Sequence, residues 1–140
     1  MDYSITKFHH VGIAVDDLEN SVSLFQNIGF ITETQQIIDE IQGIKLIFMT
    51  NNFFRIELIA NLDDSKIISP WLKTSKIRPY HFAYLVSDLF KSIQYMTEKG
   101  FKLIREPVTA KAFGGRLIAF LISEELFMVE LIEDIGVKDV

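Results

Sequence analysis

Apolar and polar positions along the chain follow two different periods. Phe8–Val15 and Tyr80–Val86 are apolar runs rich in β-branched residues and read as strands. Each run leads into an Asp-Leu pair and then into a helical pattern. Leu18, Val22 and Phe25 share one helical face before Gly29, and Leu89, Ile93 and Met96 share one before Gly100. Asp17 and Asp88 stand where a carboxylate caps free amides and opposes the helix dipole; the glycines stand where a helix ends. Three further strands are predicted after each helix. In the first half they lie near Phe30–Gln36, Ile44–Thr50 and Phe53–Ala60, with Asn51-Asn52 as a tight hairpin turn. In the second they lie near Lys102–Arg105, Arg116–Ile122 and Leu126–Glu133. The order strand, helix, three strands thus occurs twice, which describes an α+β chain dominated by antiparallel sheet.

The two halves also resemble each other residue by residue. Sliding His10 onto His81, an offset of 71, lays His10-Val11-Gly12-Ile13-Ala14-Val15 over His81-Phe82-Ala83-Tyr84-Leu85-Val86. Asp17-Leu18 then meets Asp88-Leu89, Ser21 meets Ser92, and Gly29-Phe30 meets Gly100-Phe101. Later the offset grows by two, and Ile56-Glu57-Leu58 falls on Val129-Glu130-Leu131, as a small loop insertion would produce. The reading is one domain over residues 1–140, with modules at about 8–60 and 79–133. The linker 61–78 carries Trp71 and Pro70, and Pro79 follows it, so it is expected to be ordered and packed.

Strand alternation makes the polar interruptions informative. Phe54, Ile56, Leu58 and Ala60 share one face; Arg55, Glu57 and Ile59 share the other. Phe127, Val129 and Leu131 share one face, which puts Glu130 between Met128 and Ile132 on the other. A carboxylate in such surroundings needs a cation, a proton or a donor network. Of the three histidines the repeat superposes His10 and His81, whereas His9 falls on Tyr80 and turns to the opposite face. A lone strand histidine is more often packed or solvated, and a lone strand glutamate is more often solvated or paired with a neighbour such as Arg55. Those readings give no reason for both types to recur at matching positions. Two imidazoles and two carboxylates suit divalent Zn, Ni, Co, Mn or Fe, and leave room for a substrate oxygen if the ion is octahedral.

Composition narrows the partners. A chain of 140 residues, 49% apolar and 24% charged, can bury a core, and its 12 phenylalanines are expected to fill much of it. The net charge of −5 offers no broad basic face, so nucleic acid is not an expected partner. The absence of cysteine removes disulfides, thiolate sites and thiol nucleophiles. MDYSITKFHH has no apolar run behind a basic start, and no stretch reaches the length of a membrane span. A cytoplasmic protein with no membrane partner is expected.

The stretches "HHVGIAVDDLENSV", "RIELI", "YHFAYLVSDL" and "FGGRLIAFLIS…FMVELIE" resemble the vicinal oxygen chelate superfamily, which includes glyoxalases, methylmalonyl-CoA epimerases, extradiol dioxygenases and bleomycin-resistance proteins. The resemblance covers nearly the whole chain. It implies two tandem strand-helix-three-strand modules forming a cupped, incomplete eight-stranded barrel, with ligands on the first and last strand of each module. Those positions are His10, Glu57, His81 and Glu130 around one divalent ion. "IELIANLDDSKIISPWLKTSKIRPYHFAYLVSDL" and Gly114-Gly115-Arg116 look most like the epimerase group. The implied reaction is a proton shift beside a thioester carbonyl, with Glu130 as general base and Glu57 or a metal-bound water as the second acid. The position where some epimerases carry an additional Glu is Leu46 here. Arg116, Lys111 and Lys73 are candidate anchors for an anionic tail of an acyl-CoA or glutathione thioester, and a homodimer is expected. Alternative readings are a lactoylglutathione lyase, which uses the same two-His, two-Glu set, and a non-catalytic small-molecule or antibiotic-binding protein. An extradiol dioxygenase, which wants two His and one carboxylate, fits less well.

Overall fold

A computed structural model describes residues 5–124 and 128–134. It is mixed α+β, in the order β1 (Ile5–Val15), α1 (Leu18–Asn27), β2 (Ile31–Thr32), β3 (Ile37–Asp39), β4 (Ile44–Asn51), β5 (Phe54–Asn61), β6 (Ile77–Val86), α2 (Leu89–Glu98), β7 (Lys102–Leu103), β8 (Val108–Ala110), β9 (Arg116–Ile122) and β10 (Met128–Glu133). Short 3-10 turns occupy Ser69–Leu72 and Lys111–Phe113. The expected strand positions Leu126 and Phe127 lie outside the described residues. Among the described residues no helix is long and apolar enough to cross a membrane.

The chain forms two compact units: His10–Tyr80, and the described residues of Met1–His9 with His81–Val140. In the first unit the strands run β2-β4-β5-β1, with β3 also on β4; in the second they run β6-β10-β9-β7, with β8 also on β9. Hairpin neighbours are antiparallel, but β1 pairs with β5 in parallel, and so does β6 with β10. The strand expected straight after each helix is interrupted in both units by the same device. Thr32 pairs with Met49 and Ile37 with Leu46, so five positions on one side span three on the other. Leu103 on Leu121 and Val108 on Ile118 give the same excess of two residues. The expected strands Phe30–Gln36 and Lys102–Arg105 are thus shortened to β2 and β7, and β3 and β8 lie beyond the expected ranges.

Helix boundaries follow local chemistry. The Asp17 carboxylate accepts from the Asn20 amide at 3.0 Å, and Asp88 accepts from Lys91 at 3.0 Å. At the other end Phe30 N–H donates to Phe25 O and Gly29 N–H to Gln26 O, with Gly29 at φ +99°. This is the Schellman closure, and the Phe25 and Phe30 rings meet at 5.4 Å as its hydrophobic clasp. Phe101 to Met96 and Gly100 to Thr97 repeat it after α2. The β4–β5 turn sits one residue later than Asn51-Asn52 suggests. Asn51 pairs with Phe54, and Asn52, at φ +55°, opens the two-residue loop.

Each sheet buries one face under its helix. Ile13, Val15, Leu18, Met49, Ile56, Leu58 and Ala60 form the first core; Val86, Leu89, Met96, Ala119, Leu121, Val129 and Leu131 form the second. The segment 61–78 is ordered and belongs to the first unit. Asn61 accepts from the Ile68 amide at 2.8 Å and donates to Ser69 Oγ at 3.1 Å, and Trp71 packs on Tyr80 with ring centroids 5.0 Å apart. Leu58 is fully buried in the first core. Leu58→Ala is expected to cost about 2–5 kcal/mol, read as a lower urea midpoint with an unchanged slope.

Candidate functional site

The face of each sheet turned away from its helix carries the polar residues. In the first unit Gly12 stands opposite Glu57 across the parallel β1–β5 pair. His10, two residues earlier, projects from the same face and is Glu57's diagonal neighbour. In the second unit Ala83 stands opposite Glu130 across β6–β10, and His81 is again two residues earlier. Identical registers therefore build the same pair twice. His10 Nε2 lies 3.0 Å from Glu57 Oε1, and His81 Nε2 lies 3.2 Å from Glu130 Oε1. All four side chains are buried. The 3.2 Å contact lacks hydrogen-bond geometry at Glu130 Oε1.

The surroundings are apolar. Glu130 has Met128 and Ile132 beside it on β10 and faces Phe120 on β9. Glu57 faces Phe48 on β4, and Leu46 and Ile59 pair next to it on the same face. Arg55, which alternation also puts on this face, makes a two-pronged ion pair with Glu33 at 2.9 and 3.0 Å. The Asp39 carboxylate, buried at the end of β3, accepts from the Gln42 amide at 3.1 Å and from its Nε2 at 2.9 Å. Those two acids are engaged in holding strand ends.

The donor set and its spacing fit a metal. Two ligands about 2.0–2.2 Å from one ion, at angles between octahedral and tetrahedral, stand roughly 2.8–3.6 Å apart. Both His–Glu separations fall in that range. Each pair offers one borderline nitrogen and one hard oxygen, the mix suited to a divalent first-row ion.

The remaining expectations separate. His9 is buried on the opposite face from His10, its ring edge-on to Phe113 at 5.5 Å, and so is a packed residue of the second unit. Arg116 begins β9, and alternation puts it on the face of Ile118 and Phe120; it is buried. Lys111 opens the 3-10 turn before Gly114-Gly115 and is exposed. Lys73 caps the Ser69–Leu72 turn of the first unit and is exposed as well. Arg116 thus shares a strand face with Glu130, while the two lysines face solvent. Two aromatic residues escaped the sequence reading. Phe48 packs edge-on to His10 at 5.2 Å and Phe120 edge-on to His81 at 5.6 Å. The signal was available: an offset of 72, between the two already used, lays Phe48 on Phe120.

Residues 9–120 match the sequence profile of the Glyoxalase/Bleomycin resistance protein/Dioxygenase superfamily. An uncharacterised protein of Bacillus subtilis, YqjC, is 25% identical over 94% of this chain and 95% of its own length. The mitochondrial methylmalonyl-CoA epimerase of Dictyostelium discoideum is 25% identical over 84% of this chain and 70% of its own. The crystal structure of methylmalonyl-CoA epimerase from Mycobacterium tuberculosis superposes with a TM-score of 0.79 at 27% identity, covering 95% of this chain and 91% of that one.

The two pairs predict a measurable coupling. In metal-stripped protein, a double-mutant cycle with His10→Ala and Glu57→Ala should return an interaction energy of about 0.5–3 kcal/mol from urea unfolding. Additive losses would mean that the two side chains do not sense each other.

Proposed function

The chain belongs to the Glyoxalase/Bleomycin resistance protein/Dioxygenase superfamily, and from that premise we propose that it is a metal-dependent epimerase acting beside a thioester carbonyl. The reading makes His10, Glu57, His81 and Glu130 the ligands of one divalent ion, Zn, Ni, Co or Mn. Its main support is the recurrence of one buried His–Glu pair, at 3.0 and 3.2 Å, in both units. Two pairs would supply four protein donors, which leave an octahedral ion room for substrate oxygen. The methylmalonyl-CoA epimerases of Dictyostelium discoideum and Mycobacterium tuberculosis, at 25% and 27% identity, support the acyl thioester as substrate.

A bound divalent ion would supply Lewis acidity to the oxygen of the carbonyl whose neighbouring carbon loses a proton. The protein's own residues do the rest. Glu130 takes the α-proton as general base; its apolar neighbours Met128 and Ile132 keep bulk water from competing. Epimerisation returns a proton on the opposite face and so asks for a second acid. Leu46 is a buried hydrocarbon, Asp39 is held by Gln42, and Glu33 is held by Arg55. Glu57, on the same face as His10, or a water molecule takes that role. Arg116 anchors an anionic part of the substrate from the β9 face, and Lys111 and Lys73 meet its solvent-facing tail.

A second reading, lactoylglutathione lyase activity, draws its support from Leu46. A proton moved between adjacent carbons can be taken and returned by one carboxylate, and an apolar residue at position 46 costs such a reaction nothing.

Metal analysis should find one ion per chain, lost in both His10→Ala and His81→Ala. Two ions per chain, each lost in one variant, would replace the shared site by two separate ones. Saturating metal at about 100 times its Kd should add about 2.7 kcal/mol of stability. Solvent deuterium should enter methylmalonyl-CoA, and Glu130→Gln should slow exchange by roughly 10²–10⁴-fold. Turnover of the methylglyoxal–glutathione hemithioacetal without exchange into methylmalonyl-CoA would favour the lyase. A fully metallated protein inert to both substrates would exclude both activities.

A further inference from the structure

A strand fixes where a histidine's Cβ points, but it leaves the imidazole free to turn about its last torsion, whose energy wells are broad. Something else must hold Nε2 on target. In both units the same side chain is placed to do so. Phe48 stands directly opposite Glu57 across β4–β5, and Phe120 stands directly opposite Glu130 across β9–β10. Each phenylalanine also meets the histidine of its pair in an edge contact. The ring planes cross at 79° for His10 and Phe48, with centroids 5.2 Å apart, and at 67° for His81 and Phe120, at 5.6 Å. One aromatic residue thus adjoins the carboxylate and flanks the imidazole, twice over.

We infer that Phe48 and Phe120 are positioning residues, which lock the two imidazoles in the orientation that ligates and exclude water from that flank. The inference rests on the reading of His10 and His81 as metal ligands. A phenyl ring lying across an imidazole blocks rotation in a way that a carboxylate accepting at one nitrogen does not. The apolar shell also keeps water from contesting the donor atoms, so it acts on affinity as well as on geometry. Phe48 is fully buried and Phe120 half-buried, so the first ring carries the larger share.

The test uses Phe48→Leu and Phe120→Leu, which keep an apolar side chain but remove the flat ring, with Phe120→Tyr as the variant that restores it. Leu58→Ala, in the helix-facing core, controls for loss of stability. Co²⁺ is the probe, followed by chelator competition for affinity and by visible absorption for ligand geometry. Both Leu variants should bind Co²⁺ roughly tenfold more weakly, with an altered absorption envelope. Phe120→Tyr should keep the wild-type affinity and spectrum, and so should Leu58→Ala. Leu variants with native affinity and spectrum, or a Leu58→Ala protein altered to the same degree, would overturn the inference. If Phe48→Leu fails to fold, the Phe120 pair decides. Wild-type protein that binds no Co²⁺ removes the ligand reading and the positioning role together. Wild-type binding with silent Leu variants removes only the positioning role.

Discussion

The parallel pairing of the first and last strand in each unit is the constraint on which the rest depends. Parallel neighbours cannot be joined by a hairpin; the chain must leave β1, cross over a helix and three antiparallel positions, and return as β5. That crossover brings Glu57 beside His10 although 46 residues separate them in sequence. It also fixes the face. A slip of one residue in the β1–β5 register would turn Glu57 into the hydrocarbon core and send Ile56 and Leu58 to the other side. The helix-facing core therefore enforces the register, and the register makes the pair. The second unit obeys the same logic with β6 and β10.

Burying two carboxylates and two imidazoles among Leu, Ile, Met and Phe opposes folding unless each charge finds a counterpart. The protein meets this cost in a graded way. Strand-end acids are matched locally, Glu33 by Arg55 and Asp39 by Gln42. The two acids at the centres of the sheets face imidazoles instead. Aromatic rings enclose those pairs, so the polar groups interact with each other more strongly than they would in water. The same enclosure that makes the groups costly to bury makes them useful chemically.

Much of this was legible in the sequence, and the parts that were not share a cause. Alternation assigned Glu57 and Glu130 to the correct faces, because the side-chain period of a strand is a local property. The repeat separated His10 from His9 without any structure. Asp17, Asp88, Gly29 and Gly100 announced the helix ends because capping is local as well. What escaped depends on pairing between distant strands. The two-residue excess that divides β2 from β3, and β7 from β8, is set against β4 and β9, and nothing in Thr32–Ile37 alone reveals it. Phe48 and Phe120 do not stand out among the 12 phenylalanines, because their contacts with His10 and His81 exist only once β4 and β9 are in register. The β4–β5 turn was displaced by one residue because Asn51 still fits a strand, leaving Asn52 to adopt the left-handed conformation.

The boundaries between the compact units fall inside β1 and β6, not in the segment that joins the repeats. Phe8 belongs with Phe82 and Tyr84, in the unit built mainly from the second repeat, while Ile77–Tyr80 belong with the first. Repeat and folding body are thus out of phase by part of a strand at each end. Severing the backbone between residues 61 and 78 would yield two peptides, neither of which contains a whole unit. The carboxyl-terminal peptide would lack the Phe8 segment, and the amino-terminal one would lack opening residues of β6 that belong to its own unit. Such halves would be obligate complements, able to regain the native arrangement by reassociating rather than by folding alone, which makes this joint a natural place to split the protein into a conditional pair.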